Sequence, residues 1–186
     1  MIKFDMKITV MKISYFLILF FGLALSSCTS KSADEQTTKH GFLEASKEIA
    51  QSYNTFDLRP YEISAAIKLP TDKSISVLHE LDAFDWEILN DDQPFLIIQD
   101  WGAEDAIGHH LEKIENETAS IEILEKNEHL VLYKAAEENS EHIYHAAVQH
   151  KIDEINFLFL SPKNGLTEEQ LISVLAAMKS VEVYSR

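Results

Sequence analysis

The sequence predicts an α+β domain, a mostly antiparallel sheet of about six to seven strands with helices packed on it. Three observations predict it. Short runs with apolar residues at every second position recur between turn-forming residues, and three other segments carry apolar residues at helical spacing. Ile155–Leu160 is apolar on both alternating faces, as a strand covered on two sides should be.

In chain order, Phe42, Leu43, Ile49, Ala50 and Tyr53 share broadly helical spacing and predict a short helix over 42–53. Tyr61, Ile63, Ala65, Ile67 and Leu69 alternate with Glu62, Ser64, Ala66 and Lys68, which is strand periodicity, and Pro70 stops it. Ile75–Leu81 reads as a helical turn leading to a second strand around Phe84–Leu89. The cluster Asn90-Asp91-Asp92-Gln93-Pro94 is a turn, and Phe95–Trp101 resumes as an apolar strand, so the two strands form a hairpin. Ile107, Leu111 and Ile114 place an amphipathic helix over 103–115. Strands follow at Ser120–Leu124, Leu130–Lys134, His142–His150 and Ile155–Leu160. Thr167 with Gln170 forms a capping-box pattern ahead of a helix that carries Leu171, Val174, Leu175 and Met178 on one face.

The beginning of the chain has a different character. Lys3, Lys7 and Lys12 make it basic, and Phe16–Leu25 is an unbroken apolar run. As a helix that run reaches about 15 Å, about half of a ~30 Å hydrocarbon core, which suits a secretory signal and is too short for a permanent span. Met1, Met6 and Met11 are alternative starts, and beginning at Met11 leaves a compact signal, charged and then apolar. Leu25-Ser26-Ser27-Cys28 directly after the run resembles the bacterial lipobox. The resemblance implies that residues 1–27 are a lipoprotein signal peptide and that Cys28, the only cysteine, becomes a lipidated amino terminus carrying acyl groups such as palmitate. A thiol suits that reaction because its sulfur is the most nucleophilic side-chain atom near neutral pH. In the same family Thr29, rather than Asp, after the cysteine favours outer-membrane over inner-membrane delivery. Asp34-Glu35 resembles a surface-export signal, and periplasmic and surface display both stay open. With no second cysteine, the body holds neither disulfide nor thiolate metal site.

Residues 28–41 read as the lipidated Cys28 and a flexible polar tether, and 42–186 as a single globular domain. From Cys28 onward about 160 residues remain, enough for a real core. The full chain carries −15, and loss of residues 1–27 removes three lysines and one aspartate, leaving a net charge of −17. That charge repels nucleic-acid phosphates, and no Lys/Arg cluster offers a local exception, so nucleic acid is excluded as a partner. It also opposes a body lying flat on an anionic membrane, so the lipid must hold the protein there.

The order helix, three strands, helix, four strands, helix is similar to the PsbP-like α/β/α sandwich. Tyr61-x-Ile63 through Leu69-Pro70 looks like that family's opening strand, and Phe157–Leu160 with Leu166–Ser180 looks like its closing strand and helix. The family's Gly/Trp turn is absent, since Thr71-Asp72-Lys73 follows Pro70. Such a resemblance implies a fold and transmits no function.

Candidate chemistry centres on histidine. Four of the eight, His129, His142, His145 and His150, fall within one predicted hairpin. With its turn near Glu138-Asn139, His129 faces Val148 and lies diagonal to His150, and the two imidazoles with Glu128 or Glu141 could hold Zn²⁺ or Cu²⁺. A register slip of one residue would move the pair to opposite faces. His109 and His110 project about 100° apart on one helix, which suits packing and not chelation. Asp82, Asp85, Asp91, Asp92, Asp100, Glu104 and Asp105 are dense enough that some pair falls at glycosidase spacing by chance, and they read as solvated turns. Trp86 and Trp101 on adjacent strands could stack a sugar or a peptide aromatic if exposed, but Phe84, Phe95 and Ile97 nearby point to core. No nucleophile elbow, P-loop, dinucleotide fingerprint, HExxH or EF-hand spacing occurs, and no cofactor is called for beyond the lipid. The leading expectation is therefore a non-enzymatic, lipid-anchored envelope module with an envelope protein or small ligand as partner. The alternative is a metal-dependent or carboxylate-based hydrolase at the periplasm or cell surface.

Overall fold

The computed structural model describes residues 31–80, 84–117, 120–135 and 143–185. The chain divides into two units, Met1–Thr38 and Lys39–Arg186, and the sheets and core belong to the second. The architecture is α+β. Helix α1 spans Lys31–Ala50, strand β1 Asn54–Asp57 and β2 Ala65–Leu69, with a 3-10 turn at Arg59–Tyr61 between the two strands. Next come β3 (Ile75–Glu80), β4 (Asp85–Asn90), β5 (Gln93–Asp100) and α2 (Ala106–Glu117). Strands β6 (Ile121–Lys126), β7 (Leu130–Ala135), β8 (Ile143–Ile152) and β9 (Ile155–Leu160) lead into α3 (Glu168–Met178) and β10 (Glu182–Val183).

Seven strands form one antiparallel sheet in the order β3-β4-β5-β9-β8-β7-β6, and β1-β2-β10 form a small antiparallel sheet. Alternation along the strands sorts side chains to two cores. Leu130, Leu132, Ala146, Val148, Phe157 and Phe159 face one side, where they meet Phe42 of α1, Ile67 and Leu69 of β2, and Leu171, Val174, Leu175 and Met178 of α3. Val131, Tyr133, Ala147 and Leu158 face the other side and are covered by Ile107, Leu111 and Ile114 of α2. Central β9 is apolar on both sides because it is covered on both sides.

Several expectations need correction. Residues 75–80 form a strand and not a helical turn: Ile75, Val77 and His79 face the core while Ser76 and Leu78 face out, and the outward leucine hides the alternation. The strand expected from Tyr61 begins at Ala65, because Pro60 opens the 3-10 turn and Glu62 sits at φ 67 in the left-handed region. Helical backbone of α1 starts at Lys31 rather than Phe42, with no Pro or Gly between 31 and 40 to stop it. Helix α2 starts at Ala106 rather than Ala103, where the Asp105 carboxylate accepts the Gly108 N–H at 3.1 Å.

Local signals elsewhere agree with the fold. At α3 the Thr167 hydroxyl accepts the Gln170 N–H at 3.3 Å and the Gln170 side chain accepts the Thr167 N–H at 2.9 Å. Thr167→Ala should therefore lower stability by about 1 kcal/mol in urea unfolding. The β4–β5 hairpin turns at Asp91 and Asp92 (φ 50 and 60), and β8–β9 turns at Asp153 and Glu154 (φ 50 and 69). Both are two-residue turns of the mirror-image kind that matches strand twist. Left-handed backbone costs a side chain about 1–2 kcal/mol, whereas the exposed Lys151–Glu154 ion pair at 2.6 Å contributes only a fraction of that. After the extra chain entropy of glycine is subtracted, Glu154→Gly should raise stability by about 0.5 kcal/mol; an unchanged or lower urea midpoint would contradict this.

Candidate functional site

The described histidines of the β7–β8 region, His129, His145 and His150, take different surroundings. Leu130 pairs with Val148, so His129 lies opposite Gln149, whose N–H donates to the His129 carbonyl at 2.8 Å. The register is one residue from the one that sets His129 diagonal to His150. His129 is exposed beside Glu128, Nε2 to Oε1 3.3 Å. His150 belongs to the α3 side, where its Nε2 donates to the Met178 carbonyl at 2.7 Å and its ring meets Phe159 edge-on. Burial lowers the His150 pKa, and the bond to Met178 works against that shift. His142 lies outside the described residues. Among the described residues no three His, Cys, Asp or Glu side chains form a metal-holding group.

Packing brings together a different set beneath α2. His145 of β8 stacks on Tyr133 of β7 (centroids 5.0 Å, 11° between planes), and His110 of α2 tilts against the same ring at 6.1 Å. His110 caps the apolar stripe as its spacing suggested, and its Nε2 is shut from solvent without a hydrogen-bond partner among the described residues. Burial, with Lys113 and His145 nearby, lowers its pKa to about 4. Burial also lowers His145 and pushes Tyr133 up to about 12. Gly165 sits over this group at φ 72, and a Cβ there would lie 1.5 Å from Ile143 Cγ2 and 3.0 Å from His145 Nε2. The cluster holds two neutral imidazoles and a neutral phenol, among the described residues no carboxylate bonds to either ring, and the three rings pack helix α2 onto the sheet. Sequence reasoning missed Tyr133 because only the correct register puts it under both histidines.

The tryptophans part company as well. Trp86 is core, stacked on His79 at 4.7 Å and tilted against Phe157 at 6.0 Å, and its Nε1 is buried without a partner among the described residues. Trp101 packs on the α2 side, stacked on His109 at 5.7 Å and donating to Gln99 at 3.4 Å. No aromatic platform joins them. The acids serve turns and caps: Asp91 accepts the Ser74 N–H and pairs with Lys73, Asp85 accepts from Gln99, and Asp100 takes the Gly102 N–H. Asp82 lies outside the described residues.

What remains open is an edge. The two outer strands of the large sheet are β3 and β6. Strand β6 has an irregular register between Ile123 and Glu125 and carries Glu122, Glu125 and Lys126, devices that blunt an edge. Strand β3 is regular throughout its pairing with β4, contains no Pro or Lys, and exposes Leu78 (53 %); Phe84, just before β4, is 62 % exposed. Among the described residues no strand pairs with the outer side of β3, and no helix is long and apolar enough to cross a membrane. No family model matches the chain, and neither a curated protein nor a solved structure matches it.

Proposed function

We propose that the chain is a lipid-anchored cell-envelope protein, held at the outer membrane through Cys28, whose acidic domain binds a partner protein without catalysing a reaction. The lipobox-like Leu25-Ser26-Ser27-Cys28 supports the anchor, and the apolar run before it supports export. The observation that carries the binding role is the regular edge at β3, free of Pro, Lys and bulges, with Leu78 exposed beside it. Among the described candidates, His145, His150, Trp86 and Trp101 are held in packing, and Asp91 and Asp100 in turns, which supports a binding role over the hydrolase reading.

A photo-crosslinking residue at position 78, introduced into the full chain in cells, tests the role. One discrete adduct from position 78, and none from position 122 on the opposite edge strand, is the expected result. Equal smears from both positions, or no adduct from either, would remove the β3 edge as the binding surface.

A further inference from the structure

The β3 edge has a defined hydrogen-bonding face. The Ser74 carbonyl accepts the Asp91 N–H at 2.9 Å, so Ser74 is turned toward the β4 side of the ladder. In an antiparallel ladder such residues alternate, which turns Ser76, Leu78 and Glu80 toward β4 and leaves the N–H and C=O of Ile75, Val77 and His79 facing outward. The same three residues send their side chains to the core side, where Ile75 and Val77 are partly buried against the cluster and His79 stacks on Trp86. On the other face Leu78 lies opposite Glu87, with Asp85 two residues along β4.

We propose that β3 docks an extended segment of a partner protein as an added antiparallel strand, apolar on one face and basic on the other. This inference rests on the binding role proposed above and names the chemistry of the partner. Residues opposite Ile75, Val77 and His79 continue the apolar core face, so they are β-branched or otherwise apolar. Their neighbours lie beside Leu78, where the aliphatic stem of a lysine or arginine covers the exposed leucine and its charge reaches toward Glu87 and Asp85. Charge decides against a second copy as the occupant: two chains of −15 each repel, and the outer residues Ser76 and Leu78 bring no cation to meet Glu87. A basic segment is attracted by the same field.

The probe is a ten-residue synthetic peptide alternating valine and lysine, titrated by fluorescence anisotropy into the full chain in detergent. Antiparallel pairing through Ile75, Val77 and His79 aims the peptide's valine amides at β3 and its lysine amides away. Methylating the valine nitrogens should therefore weaken binding at least tenfold, and methylating the lysine nitrogens should leave it within twofold. On the protein, Val77→Pro removes an outward N–H that β4 does not use and should weaken binding at least tenfold. Glu87→Gln, which does not touch the ladder, should weaken it severalfold and reduce its salt dependence. Equal binding of a peptide of the same composition without alternation, or of both methylated forms, would overturn the proposal in favour of unspecific charge attraction. Peptide-independent self-association in sedimentation, abolished by Val77→Pro, would overturn it in favour of a second copy. A discrete crosslink from position 78 together with either failure would leave the binding role standing and remove only the added basic strand.

Discussion

Cys28→Ser should release the protein from the membrane: palmitate label disappears, and the chain moves from the membrane pellet to the soluble fraction. The magnitude follows from the anchor. Each buried methylene contributes about 0.8 kcal/mol, so one acyl chain gives marginal, reversible attachment while two or more hold effectively permanently. Serine removes the sulfur that accepts the diacylglycerol, and the sequence holds no other cysteine to take its place. Nothing in the body compensates. Basic residues near an anionic leaflet contribute about 1 kcal/mol each, but this chain has 31 acidic against 16 basic residues and is repelled instead. Membrane occupancy should fall by orders of magnitude, not by a fraction. Label persisting on the serine variant, or a variant that stays in the pellet after an alkaline wash, would contradict lipid attachment at Cys28. The same fractionation on sucrose gradients separates outer-membrane from inner-membrane delivery.

The parts of the fold that were legible in the sequence are those where local pattern and tertiary demand agree. Strand β9 is apolar on both faces and is covered on both faces; α3 announces itself through Thr167 and Gln170; the β4–β5 hairpin through Asn90–Pro94. Where the two disagree, the pattern misleads. Leu78 points outward, so the run Ile75–Glu80 loses its alternation and resembles a turn of helix. Strands β1 and β10 carry the short sequences NTFD and EV, which hold no strand signal and exist only because β2 offers them an edge on each side. The candidate site failed for a sharper reason. A hairpin register is a single integer, and an error of one set His129 diagonal to His150 while concealing that Tyr133 packs against both His110 and His145. The edge at β3 was invisible for the same kind of reason, since strand order is a property of the whole sheet.

Acid should destabilise the domain well before its carboxylates titrate, and His110 should account for much of the loss. Its pKa falls from about 6.5 in the unfolded chain to about 4 in the fold, so the folded state holds it neutral while the unfolded state takes up a proton. The associated stability is complete above pH 6.5 and is lost as pH falls toward 4. Linkage puts the loss at about 1.4 kcal/mol by pH 5.5 and about 3 kcal/mol by pH 4. His145 and His150, also lowered by burial, act in the same direction. Among the described residues, the groups facing His110 are Lys113 on its own helix and His145 and Tyr133 on the sheet; none of these can neutralise an imidazolium, and Lys113 and a protonated His145 would repel it. Asp57 and Asp91, held below the usual carboxylate range by Arg59 and by Ser74 with Lys73, contribute stability that is lost only at lower pH, outside this window. One effect opposes the trend: protonation toward the isoelectric point near 4.8 relieves the self-repulsion of a chain at −15. The decisive quantity is therefore a difference between proteins. His110→Leu, which keeps an apolar side chain over Tyr133, should show a flatter profile of unfolding free energy between pH 7.5 and 4.5 than the parent. Parallel profiles for the parent and His110→Leu would show that the imidazole is not held neutral beneath α2, and the account of what pins that helix to the sheet would fall with it.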